Sequence, residues 1–359
     1  MRIALLGDGS LNHIRRWGSY FSGRGYHVAL FTFEKTPETG FPVTRLKKHL
    51  PTNLMGYLSS LPRLKRELER FNPDLINALY ISGYGLMGAL SGYRPLILSA
   101  LGSDLLVDYR SHFIHRTQIE YAVKKADLIT VDSDSLALAA LEAGAASEEI
   151  IKVYFGIDRE LFHPSAGSGS RNKQGPLVII STRNLYKIYN LDLLVEAAPR
   201  ILGGMDARFI ICGDGPERKR LEKRTSRLGI SDRFTFEGSV APEVLAARLR
   251  ESDIYISTST SDSTSVSLLE AMACGVFPIV TDIEANREWI DDGINGIILK
   301  KDSPGELAEA VIRTAVEHSP MENAGRRNRE IIAERGLWED NMQKAERKML
   351  ELAGGRNQG

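Results

Sequence analysis

The chain has 359 residues, with 46 Lys and Arg against 46 Asp and Glu, so its formal net charge is zero. That balance excludes a general nucleic-acid binder, which carries a basic excess, and the length exceeds what one compact core organises, predicting two domains. Hydrophobic residues make up 43% and charged residues 26%, the proportions of a soluble globular protein. Cys212 and Cys274 lie in apolar runs, which argues against a disulfide framework and for a reducing cytoplasm. No apolar run approaches the ~18 residues that span a bilayer. The first residues enter a strand directly, with no apolar stretch of signal-peptide length.

Short apolar runs alternate with amphipathic stretches along the chain, the pattern of a doubly wound α/β fold. Arg2–Leu6 predicts a strand, and Gly7-Asp8-Gly9-Ser10 a glycine-rich loop that brings backbone close to a ligand. A helix follows over Leu11–Arg24. His13 at its start faces the ligand or is an ordinary surface residue. His27–Thr32 is the next strand, and Glu34 ends it. A dinucleotide fold places its ribose-binding acid there, so NAD binding is one reading. The loop departs from Gly-x-Gly-x-x-Gly, however, with Asn12 in the third position.

The segment Arg45–Arg66 holds Arg45, Lys47, Lys48, Arg63, Lys65 and Arg66 with no acidic residue, interleaved with Leu and Met. Such a segment suits an anionic membrane surface or a phosphate-bearing lipid acceptor, and equally a solvated helix face. Pro51 and Pro62 predict that it is not one continuous helix. Strands follow at Leu75–Leu79, Leu96–Ala100, Leu128–Asp132 and Ile150–Tyr154, with a helix over Tyr109–Lys125. Leu101-Gly102-Ser103-Asp104 offers Asp104 as an acceptor-side or structural carboxylate. Asp132-Ser133-Asp134 has the form of a metal-binding Asp-x-Asp, but its place at a helix start favours capping. No His/Cys cluster has metal-ligand spacing.

The Gly/Ser-rich run 165–175 predicts a flexible linker. It divides the chain into domains at 1–164 and 176–335, with a charged amphipathic helix in 336–359. The second half restarts the pattern with strands at Leu177–Thr182, Arg208–Cys212, Arg233–Phe236, Asp253–Ser257 and Phe277–Asp282. Arg183 and Lys187 follow the first of these and can clamp a diphosphate, the Arg bidentately and the Lys as a point charge. Gly213 and Gly215, in Cys212-Gly-Asp-Gly-Pro216, permit close approach by a ligand. Asp262-Ser-Thr-Ser-Val-Ser-Leu-Leu-Glu270 is a hydroxyl-rich turn that opens a helix. Its Ser265 and Val266 amides form an anion cradle. Asp262 and Glu270 bracket that cradle, which suits a sugar joined to a phosphate. An ordinary capped helix shares the same residues.

Glu270-Ala271-Met272-Ala273, Gly275 and Pro278 resemble the acidic-x7-acidic motif of retaining GT-B glycosyltransferases of the family 4, or glycosyl transferases group 1, type. Arg183 with Lys187, Gly213-Asp-Gly-Pro216, Asp292-Gly-Ile-Asn-Gly296 and Gly156-Ile-Asp158 extend the resemblance over nearly the whole chain. It departs at Asp262, where the family has Glu, at Ser263-Thr264-Ser265 for Gly-Phe-Gly, and at Leu101 for a frequent His.

The resemblance implies two Rossmann-like doubly wound domains facing across a cleft, with the C-terminal helix returning to the first. It implies a hexosyltransferase that moves a sugar, with retention, from a UDP- or GDP-sugar to a hydroxyl of a glycan or lipid-linked glycan, for cell-surface glycan biosynthesis. The protein would be cytoplasmic, with peripheral membrane contact through Arg45–Arg66, and would need no metal or cofactor. Arg183 and Lys187 would hold the phosphates, Glu270 the ribose, and Ser239 and Val240 the base through their backbone. Asp262 would orient the donor sugar. Gly9 would lie beneath the phosphates, and Ser10, His13 and Asp104 on the acceptor side. Two alternatives stand beside this: an NAD-linked Rossmann enzyme, and a catalytically weak sugar-nucleotide binding protein of GT-B shape, to which the Asp262 and Leu101 departures point.

Overall fold

The computed structural model describes residues 1–47, 53–164, 175–317 and 319–355. The chain forms two compact units. The first runs from Met1 to Tyr154 and takes in the chain again from Asp340 onward; the second runs from Phe155 to Glu339. Residues 165–174 of the expected linker lie outside the described residues, as do Lys48, Leu50 and Pro51 of the basic segment.

The first unit is built on seven strands: β1 (Arg2–Leu6), β2 (His27–Thr32), β3 (Val43–Arg45), β4 (Leu75–Leu79), β5 (Leu96–Ser99), β6 (Leu128–Val131) and β7 (Ile150–Lys152). They are ordered β3-β2-β1-β4-β5-β6-β7, and every pairing is parallel. Such strands are covered on both faces, which is why they are continuous apolar runs rather than alternating ones. Helix Asn12–Gly23 shows the complementary pattern. It buries Ile14, Trp17, Gly18 and Phe21, spaced at three and four residues along one stripe. A Cβ on Gly18 would lie 2.3 Å from the Phe41 ring, so the helix can lie this close only without one.

The C-terminal helix Trp338–Gly354 contributes Glu346 to this unit. Its carboxylate accepts hydrogen bonds from Tyr20 Oη (3.0 Å) and Tyr26 Oη (2.7 Å) and pairs with Arg24 at 3.5 Å. Asn341 Oδ1 accepts the Tyr154 amide at 2.9 Å.

The second unit has six strands: β8 (Leu177–Ser181), β9 (Ala207–Ile211), β10 (Phe234–Phe236), β11 (Ile254–Ser257), β12 (Phe277–Thr281) and β13 (Ile297–Leu299). Their order is β10-β9-β8-β11-β12-β13, again wholly parallel. The Gly156–Asp158 segment joins this unit through Ile157, which pairs with residues 336–338 by two backbone hydrogen bonds of 2.8 and 3.0 Å. In both sheets the chain winds outward on one side and then returns to the centre. The switch points therefore lie between β1 and β4 and between β8 and β11. The carboxyl ends of these strand pairs are where ligands of such sheets bind.

Three expectations need correction. β3 and β13 escaped the sequence reading. The helix expected over Tyr109–Lys125 is interrupted at His112, whose extended backbone and Nδ1 cap a new helix, Phe113–Val123. Pro62 does not break its segment: it lies inside one helix, Asn53–Phe71. Proline removes the N–H that Leu58 O would accept. Pro62 and Leu58 are both exposed there, so water can satisfy that carbonyl.

Candidate functional site

At the switch point of the second unit, Arg183 follows β8 and the turn from Thr258 to Ser265 follows β11. The Arg183 side chain is only 8% exposed. Its Nη2 donates to Asp262 Oδ2 at 2.6 Å, and its Nη1 to Ser265 Oγ at 2.6 Å and Ser267 Oγ at 2.9 Å. The guanidinium stacks over the Tyr189 ring, 4.0 Å from its centroid. Burial alone would lower the Arg183 pKa; the Asp262 carboxylate, with Tyr255 and Tyr189, outweighs burial and raises it. Nε of Arg183 and the hydroxyls of Ser181 and Thr182 are buried with no partner among the described residues.

Ser265 is the N-cap of helix Val266–Ala273, with its Oγ accepting from Leu268 N. The first amides of that helix, at Val266 and Ser267, have no backbone acceptor among the described residues, as helix starts leave them. A guanidinium held through Nη1 at the start of a helix whose first amides are uncommitted combines two groups that recognise anions. Glu270 lies one turn further along the helix and is half-buried.

The other expected residues fall in different places. Lys187 opens a short helical turn and is exposed. It lines a shallow groove with Asn190, Asp192, Glu217, Arg220 and Thr260. That groove shares no lining residue with the Arg183 cluster. Gly213 and Gly215 are required by the protein's own backbone. A Cβ at Gly213 would lie 2.3 Å from the Arg183 carbonyl oxygen, and one at Gly215 2.4 Å from that of Leu185. Leu185 N donates to Asp214 O, and Glu217 N to Leu185 O, which lock the two loops together. Ser239 and Val240 follow β10 in a loop braced by Arg218, whose Nη2 donates to Phe236 O at 2.8 Å.

In the first unit, the Gly7–Ser10 loop follows β1. Gly9 N donates to Thr32 Oγ1 at 3.1 Å, and Ser10 Oγ to Asp8 Oδ1 at 2.6 Å. His13 lies in the first turn of its helix and is exposed. Asp104 is a correction: it is fully buried. Its carboxylate accepts the amides of Ile81, Leu101, Gly102 and Leu105 at 2.8–3.2 Å. Burial pushes its pKa up to about 6, against those four amides. It ties the loops after β4 and β5 together and has no open face for an acceptor.

Sequence reasoning missed Asp108, which accepts from Tyr80 Oη at 2.9 Å and Ser82 Oγ at 2.7 Å beside that same edge. Nor did it single out Ser267, Tyr189 or Tyr255, whose hydroxyl donates to Ser267 Oγ. Ser133 caps its helix through Leu136 N, and Asp134 pairs with Lys152, as the capping reading of that motif expects. Among the described residues, no group of three or more His, Cys, Asp or Glu is placed to hold a metal ion, and no helix is long and apolar enough to cross a membrane.

Two Rossmann-like units, each a parallel sheet with loops gathered at its switch point, define an α/β fold of the GT-B class. Two family models match the chain: Glycosyl transferases group 1 over residues 168–330 and Glycosyl transferase 4-like over residues 2–133. The chain belongs to the group 1, family 4 type glycosyltransferases. N-acetyl-alpha-D-glucosaminyl L-malate synthase of Bacillus anthracis is 26% identical over 286 residues, covering 77% of this chain and 74% of that protein. D-inositol 3-phosphate glycosyltransferase of Geodermatophilus obscurus is 27% identical over 309 residues, covering 78% and 68%. Among solved structures, Anabaena HepE in complex with UDP superposes with a TM-score of 0.81 at 20% identity, over 98% of this chain and 100% of that one. With both units matched by glycosyltransferase models, the NAD-linked reading falls.

Proposed function

We propose that the protein transfers a hexosyl group, with retention at the anomeric carbon, from a nucleoside-diphosphate sugar to a hydroxyl of a glycan or lipid-linked acceptor. One observation carries the reading: the buried Arg183 guanidinium, bound through Nη1 to Ser265 and Ser267 at the start of helix Val266–Ala273, keeps an uncommitted Nε. These fixed donors stabilise charge that grows on the diphosphate as the glycosidic C–O bond breaks. The departing phosphate oxygen then takes the acceptor proton as the acceptor oxygen bonds to the same face of the anomeric carbon. Amide and guanidinium N–H groups suit an anion and not a metal ion, so the leaving group is met without a resident metal.

Glu270 receives the ribose diol in this scheme, and the backbone near Ser239 and Val240 the base. Uridine is the first base to test, because HepE is a fold neighbour solved with UDP. A lipid-linked acceptor fits helix Asn53–Phe71, which exposes Met55 at 50% and Leu58 at 39% and also carries Arg63, Lys65 and Arg66; contact with the cytoplasmic membrane face follows from the same residues. The test is a thermal-shift panel of UDP, GDP, ADP and NAD. Stabilisation by at least one nucleoside diphosphate, and its loss in Arg183→Ala, is expected. A flat response to all of them refutes the donor class. Donor binding without turnover over diverse acceptors would favour the catalytically weak alternative.

A further inference from the structure

Asp262 stands where the family motif places its first acid, yet its partners are not those of a sugar ligand. Oδ2 takes the Arg183 Nη2 at 2.6 Å, and Oδ1 accepts the Ser263 amide at 3.0 Å. The side chains are 8% and 18% exposed, and Asp262 is the one carboxylate ion-paired with Arg183 among the described residues. A guanidinium has five N–H groups. Two of them serve the serine hydroxyls, one serves Asp262, and Nε serves none. Nε and Nη2 together form the edge on which a phosphate would sit bidentately. Asp262 holds half of that edge.

The other half of the guanidinium is held independently. Ser265 Oγ links it to the helix cap at Leu268 N, and Ser267 Oγ, itself accepting from Tyr255 Oη, holds it from the same side. Tyr189 covers its face. Arg183 therefore keeps its place when Asp262 lets go. Resting on the donor reading above, we infer that Asp262 is the resident counter-ion of Arg183, displaced from Nη2 by an incoming diphosphate, rather than a ligand of the donor sugar. Before binding, it keeps a desolvated cation neutralised, which an isolated buried charge could not be at acceptable cost. During binding it subtracts from anion affinity, because phosphate must compete with it.

The experiment is isothermal titration of UDP, UDP-glucose and inorganic pyrophosphate into wild type, Asp262→Asn and Asp262→Glu, with thermal midpoints measured alongside. Removing one negative charge from a cluster screened at an effective dielectric near 20 predicts at least about tenfold tighter binding of all three by Asp262→Asn. Asp262→Glu, which keeps the charge, returns affinity to near wild type. Unchanged UDP affinity with weakened UDP-glucose would assign Asp262 to the sugar and overturn the inference. Weakening of all three together with a lowered midpoint would reduce it to a structural role. Should wild type bind no nucleoside diphosphate while Asp262→Asn still gains pyrophosphate affinity, the donor reading fails and the counter-ion role stands. Should neither gain appear, the counter-ion role fails as well.

Discussion

Gly213→Ala probes how closely the loop after β9 holds Arg183. The added Cβ would lie 2.3 Å from the Arg183 carbonyl oxygen, 2.9 Å from its carbonyl carbon and 3.2 Å from Asn184 Cα. All three are backbone atoms, so no side-chain rotation relieves the contact. Reaching an ordinary separation of roughly 3.2 Å requires the two loops to part by about 0.9 Å, which strains the Leu185 N to Asp214 O hydrogen bond of 2.9 Å. Overpacking of this kind costs about 1–3 kcal/mol. For a unit of this size that lowers the melting temperature by roughly 2–12 °C. The same shift moves Arg183 away from Ser265 and Ser267, and a displacement near 1 Å at a positioned group costs up to about a hundredfold in rate. Differential scanning fluorimetry with and without UDP reads both effects. Expected are a lowered midpoint and a smaller UDP-induced shift. A variant with wild-type midpoint and wild-type UDP response would show that the loop gives way freely, and that Gly213 does not set the position of Arg183.

Gly203→Ala should behave in the opposite way. It lies in the last turn of helix Asp192–Gly204 with nothing within 4 Å of its Cβ position, so alanine should stabilise by about 0.5–1 kcal/mol; a loss of stability in urea denaturation would contradict this. The Asp104 carboxyl should titrate near 6 in carbon-detected NMR rather than near 4. Because its folded pKa lies above the unfolded one, its contribution to stability is full below about pH 4 and is lost as pH rises through about 6. A midpoint below 4 would mean that the four amides outweigh burial. Glu346→Ala leaves Tyr20, Tyr26 and Arg24 without their shared acceptor and should cost about 1.5–3 kcal/mol. Hydrogen exchange in the helix beyond Asp340 should accelerate selectively; unchanged protection there would show that apolar packing alone holds it.

The alternation of apolar runs was enough to show two wound sheets, because strands buried on both faces differ sharply from the amphipathic helices between them. Strand β3 was not legible: Val43-Thr44-Arg45 has one apolar residue, and it pairs along the edge that β2 offers. The Pro62 error has the same origin. Proline's cost in a helix depends on whether the freed carbonyl is wet, which is a property of the packed surface and not of the local sequence. At the candidate site, residue types were legible and partners were not. Asp104 matched a motif position, yet its burial follows from two loops closing over it from separate strands.

The departures from the family motif gain their meaning from this difference between types and partners. Read along the chain, Asp for Glu at 262 and Ser for Gly at 265 are separate substitutions, each weakening the match. In space both side chains bind the same guanidinium, Asp262 on Nη2 and Ser265 on Nη1. A hydroxyl at 265 supplies an acceptor that glycine lacks, so Arg183 no longer depends on its carboxylate partner for position. The carboxylate is then free to act as an exchangeable counter-ion, and the two changes are one adjustment of how tightly the cation is held before its ligand arrives. That coupling has a direct consequence. Ser265→Ala alone should loosen Arg183 only modestly, because Asp262 and Ser267 remain. Asp262→Asn combined with Ser265→Ala should bind UDP less tightly than the gain from the first and the small loss from the second predict together, as expected for groups sharing one partner. Strict additivity in the double-mutant cycle would separate the two residues again and return Asp262 to an independent role.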